Sequence, residues 1–199
     1  MVEGSGQSRK PLVLNTSSAA ETKALAESLA PILVPGDMIV LAGDLGAGKT
    51  TFVQGLAVGL GIVEKVTSPT FILMKEYLGG RFPLMHMDIY RLGRVQDVID
   101  LGYDEFLDPS YVVAIEWGDR VEALLPKDHL KVELRHGGGD ERTMSFIGKG
   151  EAWVNRLQLI GQVAAELNAN PPSAKAQTQP GSFAQDFSPG NPRESGRNN

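Results

Sequence analysis

The densest concentration of chemical function in the sequence is a lysine and two threonines at the end of a glycine-rich run. Gly43 to Thr50 reads Gly-Asp-Leu-Gly-Ala-Gly-Lys-Thr and fits the phosphate-loop pattern G-x-x-x-x-G-K-[ST]. Gly43, Gly46 and Gly48 lack a Cβ, so the main chain can turn sharply and aim successive N–H groups at phosphate oxygens. Lys49 would set an ammonium on the β- and γ-phosphates, and the Thr50 hydroxyl would bind Mg²⁺. A helix starting there turns its positive end toward the same anion.

Such a loop works only between a strand and a helix, and the flanks read that way. Met38-Ile-Val-Leu41 follows Pro35-Gly36 as an apolar run, which predicts a buried strand. Phe52, Val53, Leu56, Ala57 and Leu60 recur at helical spacing until Gly61, which predicts the helix that follows.

Two further acids are placed where they could serve this loop. Tyr111-Val-Val-Ala-Ile-Glu116 is an unbroken apolar run, which predicts a central parallel strand covered on both faces. Glu116 then falls at the carboxyl end of that strand, where open α/β sheets bind ligands, and a carboxylate there can hold Mg²⁺ directly or through water. This is the Walker B position, filled by Glu rather than Asp. Trp117, beside it, is either packing or a nucleotide stack. Asp88 lies within the mostly apolar strand expected over Leu84–Tyr90, where an unpaired carboxylate is costly. It is either ion-paired with Arg91 or Arg94, or it positions water or the metal's hydration shell. Between them, Ser68 and Thr70 flank Pro69, which reads either as an ordinary turn or as a loop that senses the γ-phosphate and Mg²⁺.

The remaining elements form the frame. Leu12–Leu14 reads as a short strand, and Thr16, Ser17 or Ser18 as the cap of a helix carrying Leu25, Leu29 and Ile32. Gly79-Gly80, between residues 71–77 and 84–90, predicts a hairpin, as do the glycines 137–139 between 130–134 and 143–147. Residues 95–108 read as helix, broken at Gly102. Residues 151–167 read as an amphipathic helix with Trp153, Leu157, Ile160 and Ala164 on one face. Together these predict an α/β, three-layer fold of the P-loop NTPase type, with a mostly parallel central sheet and β-hairpins. One domain is expected over residues 11–168. Residues 1–10 are small and polar, and 169–199 are rich in proline and poor in large apolar groups, so both ends are expected to be disordered.

Composition excludes several classes. With no cysteine there are no disulfides or thiolate metal sites, and His86, His129 and His136 are too far apart in sequence for a local ligand motif. No secretory signal or membrane span is present, so the chain is expected in the cytoplasm. The net charge of −5 and pI near 5.2 argue against autonomous binding to DNA or RNA. The base-reading N-K-x-D and the D-x-x-G of GTP switches are absent. A small-molecule kinase would need an arginine-rich lid, for which only the scattered Arg81, Arg91 and Arg94 offer themselves.

Four blocks, residues 43–51 (GDLGAGKTT), 67–71 (TSPTF), 88–92 (DIYRL) and 115–117 (IEW), stand in this order. Together they resemble the TsaE (YjeE) family over about residues 12–165. The resemblance implies an ATPase that works with TsaB and TsaD in threonylcarbamoyl modification of the adenosine next to the anticodon of tRNA, with the RNA held by the complex. It implies that Gly43, Asp44, Leu45, Gly46, Ala47, Gly48, Lys49, Thr50 and Thr51 belong to the nucleotide loop, and that Thr50 and Glu116 are Mg²⁺ ligands. Ser68 and Thr70 would form a switch-like loop, and Asp88 would join Lys49 and Glu116 in catalysis. Hydrolysis is expected to be slow until partner proteins complete the site. A nucleotide-gated interaction module without catalysis remains the alternative.

Overall fold

A computed structural model describes residues 10–92, 95–100 and 108–169. In chain order they form β1 (Leu12–Thr16), α1 (Ala19–Leu29), β2 (Met38–Ala42), α2 (Lys49–Gly59), β3 (Met74–Tyr77), β4 (Leu84–Asp88) and α3 (Val95–Asp100). There follow β5 (Val112–Glu116), β6 (His129–Gly138), β7 (Glu141–Lys149) and α4 (Gly150–Ala169), with 3-10 segments at Ala30–Ile32 and Gly118–Leu124. The expected disordered ends lie outside the described residues save Lys10 and Ala169, and so does most of the helix expected over 95–108 beyond Asp100.

The strands make one seven-stranded sheet in the order β1-β7-β6-β2-β5-β4-β3. The four central strands β6, β2, β5 and β4 are parallel, and the antiparallel pairs lie toward the edges, β6–β7 and β1–β7 on one side and β3–β4 on the other. All five residues of β2 and all five of β5 are buried, as a strand covered on both faces requires. Alternate residues serve opposite layers. Ile39, Leu41, Val112 and Ala114 join Phe52, Leu56, Trp153 and Ile160 under α1, α2 and α4. Met38, Val40, Val113 and Ile115 join Val98 and Val121 on the other face.

Local chemistry explains where elements stop. Ser18 caps α1, its hydroxyl accepting from Glu21 N–H at 3.1 Å. Gly61, in the left-handed region, closes α2: its N–H bonds Val58 O, and Ile62 N–H bonds Ala57 O, both at 2.9 Å. The strand expected from Phe71 begins only at Met74. Ile72 and Leu73 N–H both turn back to Pro69 O, and Leu73 itself is left-handed at φ 67°, so Phe71 and Ile72 sit exposed in a turn. β4 stops at Asp88, short of the expected Tyr90, because the Asp88 carboxylate accepts the Tyr90 N–H at 3.0 Å. The second hairpin extends further than expected on both strands.

Candidate functional site

The glycine-rich loop runs from the carboxyl end of β2 into α2. A Cβ on Gly43 would lie 2.2 Å from Leu134 O, so only glycine lets this turn lie against β6. Gly48 is the N-cap of α2 at φ 105°, and no side chain caps the helix. The first-turn N–H groups therefore have neither an intrahelical acceptor nor a capping side chain, at the positive end of the helix. Asp44, Leu45 and Gly46 are exposed on the rim, Ala47 is buried with its N–H on Asp44 O at 3.2 Å, and Thr51 is half-buried in the first turn.

Lys49 is 4% exposed. Its Nζ donates to Gly43 O at 2.7 Å and Asp44 O at 2.8 Å and stands 3.7 Å above the centre of the Trp117 ring. Burial pushes this ammonium below the ordinary lysine range, while the carboxylates of Glu116, Asp88, Asp119 and Asp44 act in the opposite direction. Trp117 packs against the core on the second face of the sheet, as its packing reading expects. It is a cation–π platform beneath Lys49, with Tyr90 at 4.9 Å between ring centres and Arg120 above it at 4.8 Å.

β5 delivers Glu116 to the same place. The Thr50 hydroxyl donates to Glu116 Oε1 at 2.7 Å across 66 residues of sequence, and His86 Nε2 lies 2.9 Å from that same oxygen. β4 lies beside β5 with Asp88 in register with Glu116. Asp88 Oδ2 accepts from Ser68 Oγ at 2.8 Å and from Thr70 Oγ1, so the loop before β3 is tied to the end of β4. The expected alternative of an ion pair with Arg91 is not what forms, since the Arg91 guanidinium lies over the Phe71 ring at 4.1 Å. Arg94 lies outside the described residues.

The predicted residues therefore converge on one edge of the sheet. The geometry also adds three that the spacing did not reveal. His86, fully enclosed, was set aside because it is remote from the other histidines. His136 Nε2 lies 3.7 Å from where a Cβ on Gly46 would stand, and Arg142 Nε 3.8 Å from that of Gly48. Both come from the β6–β7 hairpin, paired in register, and the Arg142 guanidinium donates to Gly139 O at 3.1 Å and Glu141 O at 2.8 Å within it. Arg81 itself bonds Leu33 O at 2.7 Å, serving the fold. Only the adjacency of β6 and β2 brings Arg142 to the loop, and no local pattern encodes that adjacency.

An anion fits the uncapped helix end and the buried ammonium. For a cation, no group of three or more His, Cys, Asp or Glu is disposed to hold one among the described residues. The hydroxyl of Thr50 and the carboxylate of Glu116 are hard oxygen donors of the kind Mg²⁺ takes while drawing its other ligands from phosphate and water. The donor set fits a cation that arrives with a polyphosphate.

Comparison with known proteins supplies the family. The family described as "Threonylcarbamoyl adenosine biosynthesis protein TsaE" matches residues 16–144. A Bacillus subtilis protein named tRNA threonylcarbamoyladenosine biosynthesis protein TsaE is 44% identical over 151 residues, 76% of this chain and 92% of its own length. Proteins of the same name from Treponema pallidum (46%; 59% of this chain and 87% of that protein) and Streptomyces coelicolor (40%; 65% and 92%) are also similar. Among solved structures, the crystal structure of Bacillus subtilis YdiB superposes with a TM-score of 0.65 at 38% identity, covering 80% of this chain and 97% of that one. On sequence and structure alike, the chain belongs to the TsaE family.

Proposed function

We propose that the protein is a Mg²⁺-dependent ATPase with a P-loop NTPase fold, acting in the cytoplasm with TsaB and TsaD in threonylcarbamoyl modification of the adenosine next to the tRNA anticodon. The observation that carries this is the junction of loop, lysine and acid. An uncapped helix start and the Lys49 ammonium, held on Gly43 O and Asp44 O, belong to one loop, and Thr50 meets Glu116 at 2.7 Å beside it. The loop amides and Lys49 would bind the phosphates, and Thr50 with Glu116 would hold Mg²⁺. When bound, the metal neutralises charge on the phosphate oxygens. The pathway reading is supported by the names of the relatives.

Asp88 is the acid placed to position or deprotonate an attacking water, but its Oδ2 already accepts two hydroxyls and its Oδ1 a main-chain N–H. Movement of the Ser68–Thr70 segment would free Oδ2 for a water, so hydrolysis is expected to be slow alone and faster with partners that move it. The test is ATP hydrolysis in the presence of TsaB and TsaD. The wild-type chain is expected to turn over many times and Lys49→Ala to show no activity above background; equal rates would overturn the proposal.

A second reading, a nucleotide-gated interaction module, is favoured by one observation. Leu45, Phe71 and Ile72 are 75%, 81% and 63% exposed on the two loops of the site. Glu116→Ala separates the readings: full support of tRNA modification without hydrolysis would favour the module, and loss of both would favour the ATPase.

A further inference from the structure

We infer that His86 is the positioning residue for Glu116, holding its carboxylate so that the Thr50 hydroxyl donates its hydrogen bond to Glu116 and turns its lone pairs toward a divalent cation. This rests on the nucleotide-site reading proposed above and extends it to a residue outside the glycine loop and the metal acids.

His86 stands in the middle of β4, opposite Ala114 of β5, with no exposed surface. An imidazole is an unfavourable choice for such a place. Its Nδ1 is buried with no hydrogen-bond partner among the described residues, a cost that an aliphatic side chain of similar size would avoid. The other nitrogen, Nε2, lies 2.9 Å from Glu116 Oε1. A carboxylate oxygen accepts, so Nε2 is the donor of this pair.

The same Oε1 receives the Thr50 hydroxyl at 2.7 Å. One carboxylate oxygen thus takes hydrogens from α2 on one side and from β4 on the other. Thr50 has a single hydroxyl hydrogen, and once it points to Glu116 only oxygen lone pairs remain for a cation. The direction of that hydrogen depends on where Glu116 Oε1 sits. Glu116 has three rotatable side-chain bonds, whereas His86 projects from a strand fixed by β3 and β5 and is the rigid member of the three. Loss of a partner that orients a metal ligand from behind typically costs about 10–100-fold in metal affinity.

The experiment compares full-length wild type, His86→Leu and His86→Gln by ATP binding in EDTA and across a Mg²⁺ titration, with circular dichroism and melting curves as folding controls. The Gln Nε2 can reach the position of the histidine Nε2, and Leu offers no donor. In EDTA all three are expected to bind ATP alike, because the loop amides and Lys49 do not depend on His86. With Mg²⁺, His86→Leu is expected to need about tenfold or more Mg²⁺ for half-saturation, and His86→Gln to return close to wild type. A folded His86→Leu protein with a wild-type Mg²⁺ titration would overturn the inference, as would His86→Gln impaired as badly as Leu. If Leu fails to fold, His86→Asn replaces it, since its amide stops at the Nδ1 position; Asn equal to Gln would overturn the inference. A wild-type chain that binds no ATP in either condition overturns the nucleotide-site reading as well, whereas unchanged variants of an ATP-binding wild type overturn only the role of His86.

Discussion

At the scale of single residues, Asp88 shows how environment turns a costly group into a useful one. It is 3% exposed at the end of β4, and three donors on residues 68, 70 and 90 satisfy it. Replacing it with Ala removes the acceptor that anchors Ser68 and Thr70 but leaves the phosphate loop untouched. Asp88→Ala is therefore expected to keep ATP binding, to accelerate amide exchange over residues 68–73, and to lower partner-stimulated hydrolysis by about 10²–10⁴-fold. Exchange measured by mass spectrometry, beside turnover, checks both effects. The residue types at positions 43–50, 88 and 116 were readable from the chain, since phosphate and Mg²⁺ chemistry demands those types. Which of the open alternatives held for Asp88 and Trp117 was not readable, because it depended on side chains 18–68 positions away.

At the scale of elements, the start of α2 is held by what packs on its far end. α1 crosses α2 at two glycines. A Cβ on Gly55 would lie 2.2 Å from Lys23 O and 2.7 Å from the Ala26 Cβ, and one on Gly59 would lie 2.3 Å from Glu27 O. In an exposed helix Gly→Ala stabilises by about 1 kcal/mol through propensity. Here the added methyl meets main chain, which moves only with the whole of α1, and overpacking of that kind costs about 1–3 kcal/mol. Gly55→Ala is expected to lower the melting temperature despite its better propensity, and calorimetry would show it. Helix existence, caps and the apolar face of α4 were legible because they are local, set by spacing and capping residues. The late start of β3 was not. Phe71 and Ile72 carry strand propensity, but the Pro69 carbonyl and the left-handed Leu73 override it.

At the scale of the whole molecule, a buried ion pair ties α4 to the segment leading into β2. Arg156 of α4 makes two hydrogen bonds to Asp37 just before β2, at 2.6 and 2.7 Å, and Asp37 also accepts the Val34 N–H at 2.8 Å. Asp37 is 5% exposed, so removing the arginine strands a buried carboxylate. Arg156→Ala is expected to cost about 3 kcal/mol by urea unfolding, at the lower end of the range for buried pairs because the Arg156 side chain keeps 19% exposure. Asp37→Asn combined with Arg156→Leu should recover part of the loss. At the start of β6, burial pushes His129 below its ordinary value of 6.5; the Pro126 carbonyl opposes this and Lys149 adds to it. The folded chain then binds a proton less readily than the unfolded chain. Stability from the neutral ring is complete above about pH 6.5 and is lost as pH falls through the depressed folded value. The melting temperature of wild type should therefore decline on acidification below pH 6.5, and that of His129→Gln should decline less.

By itself the amino-acid sequence determined that a strand, a glycine turn and a helix follow one another with Lys49 and Thr50 at the helix start, that a buried strand ends in Glu116, and which family carries those blocks. Those features are encoded over a few residues by steric freedom, periodicity and residue chemistry. Tertiary structure alone decided that β5 and β6 flank β2. That adjacency sets Glu116 on the Thr50 hydroxyl, His86 behind Glu116, and Arg142 beside Gly48. Strand order follows from how two hydrophobic faces are covered at once, a cooperative property of the whole sheet that no short stretch of residues specifies.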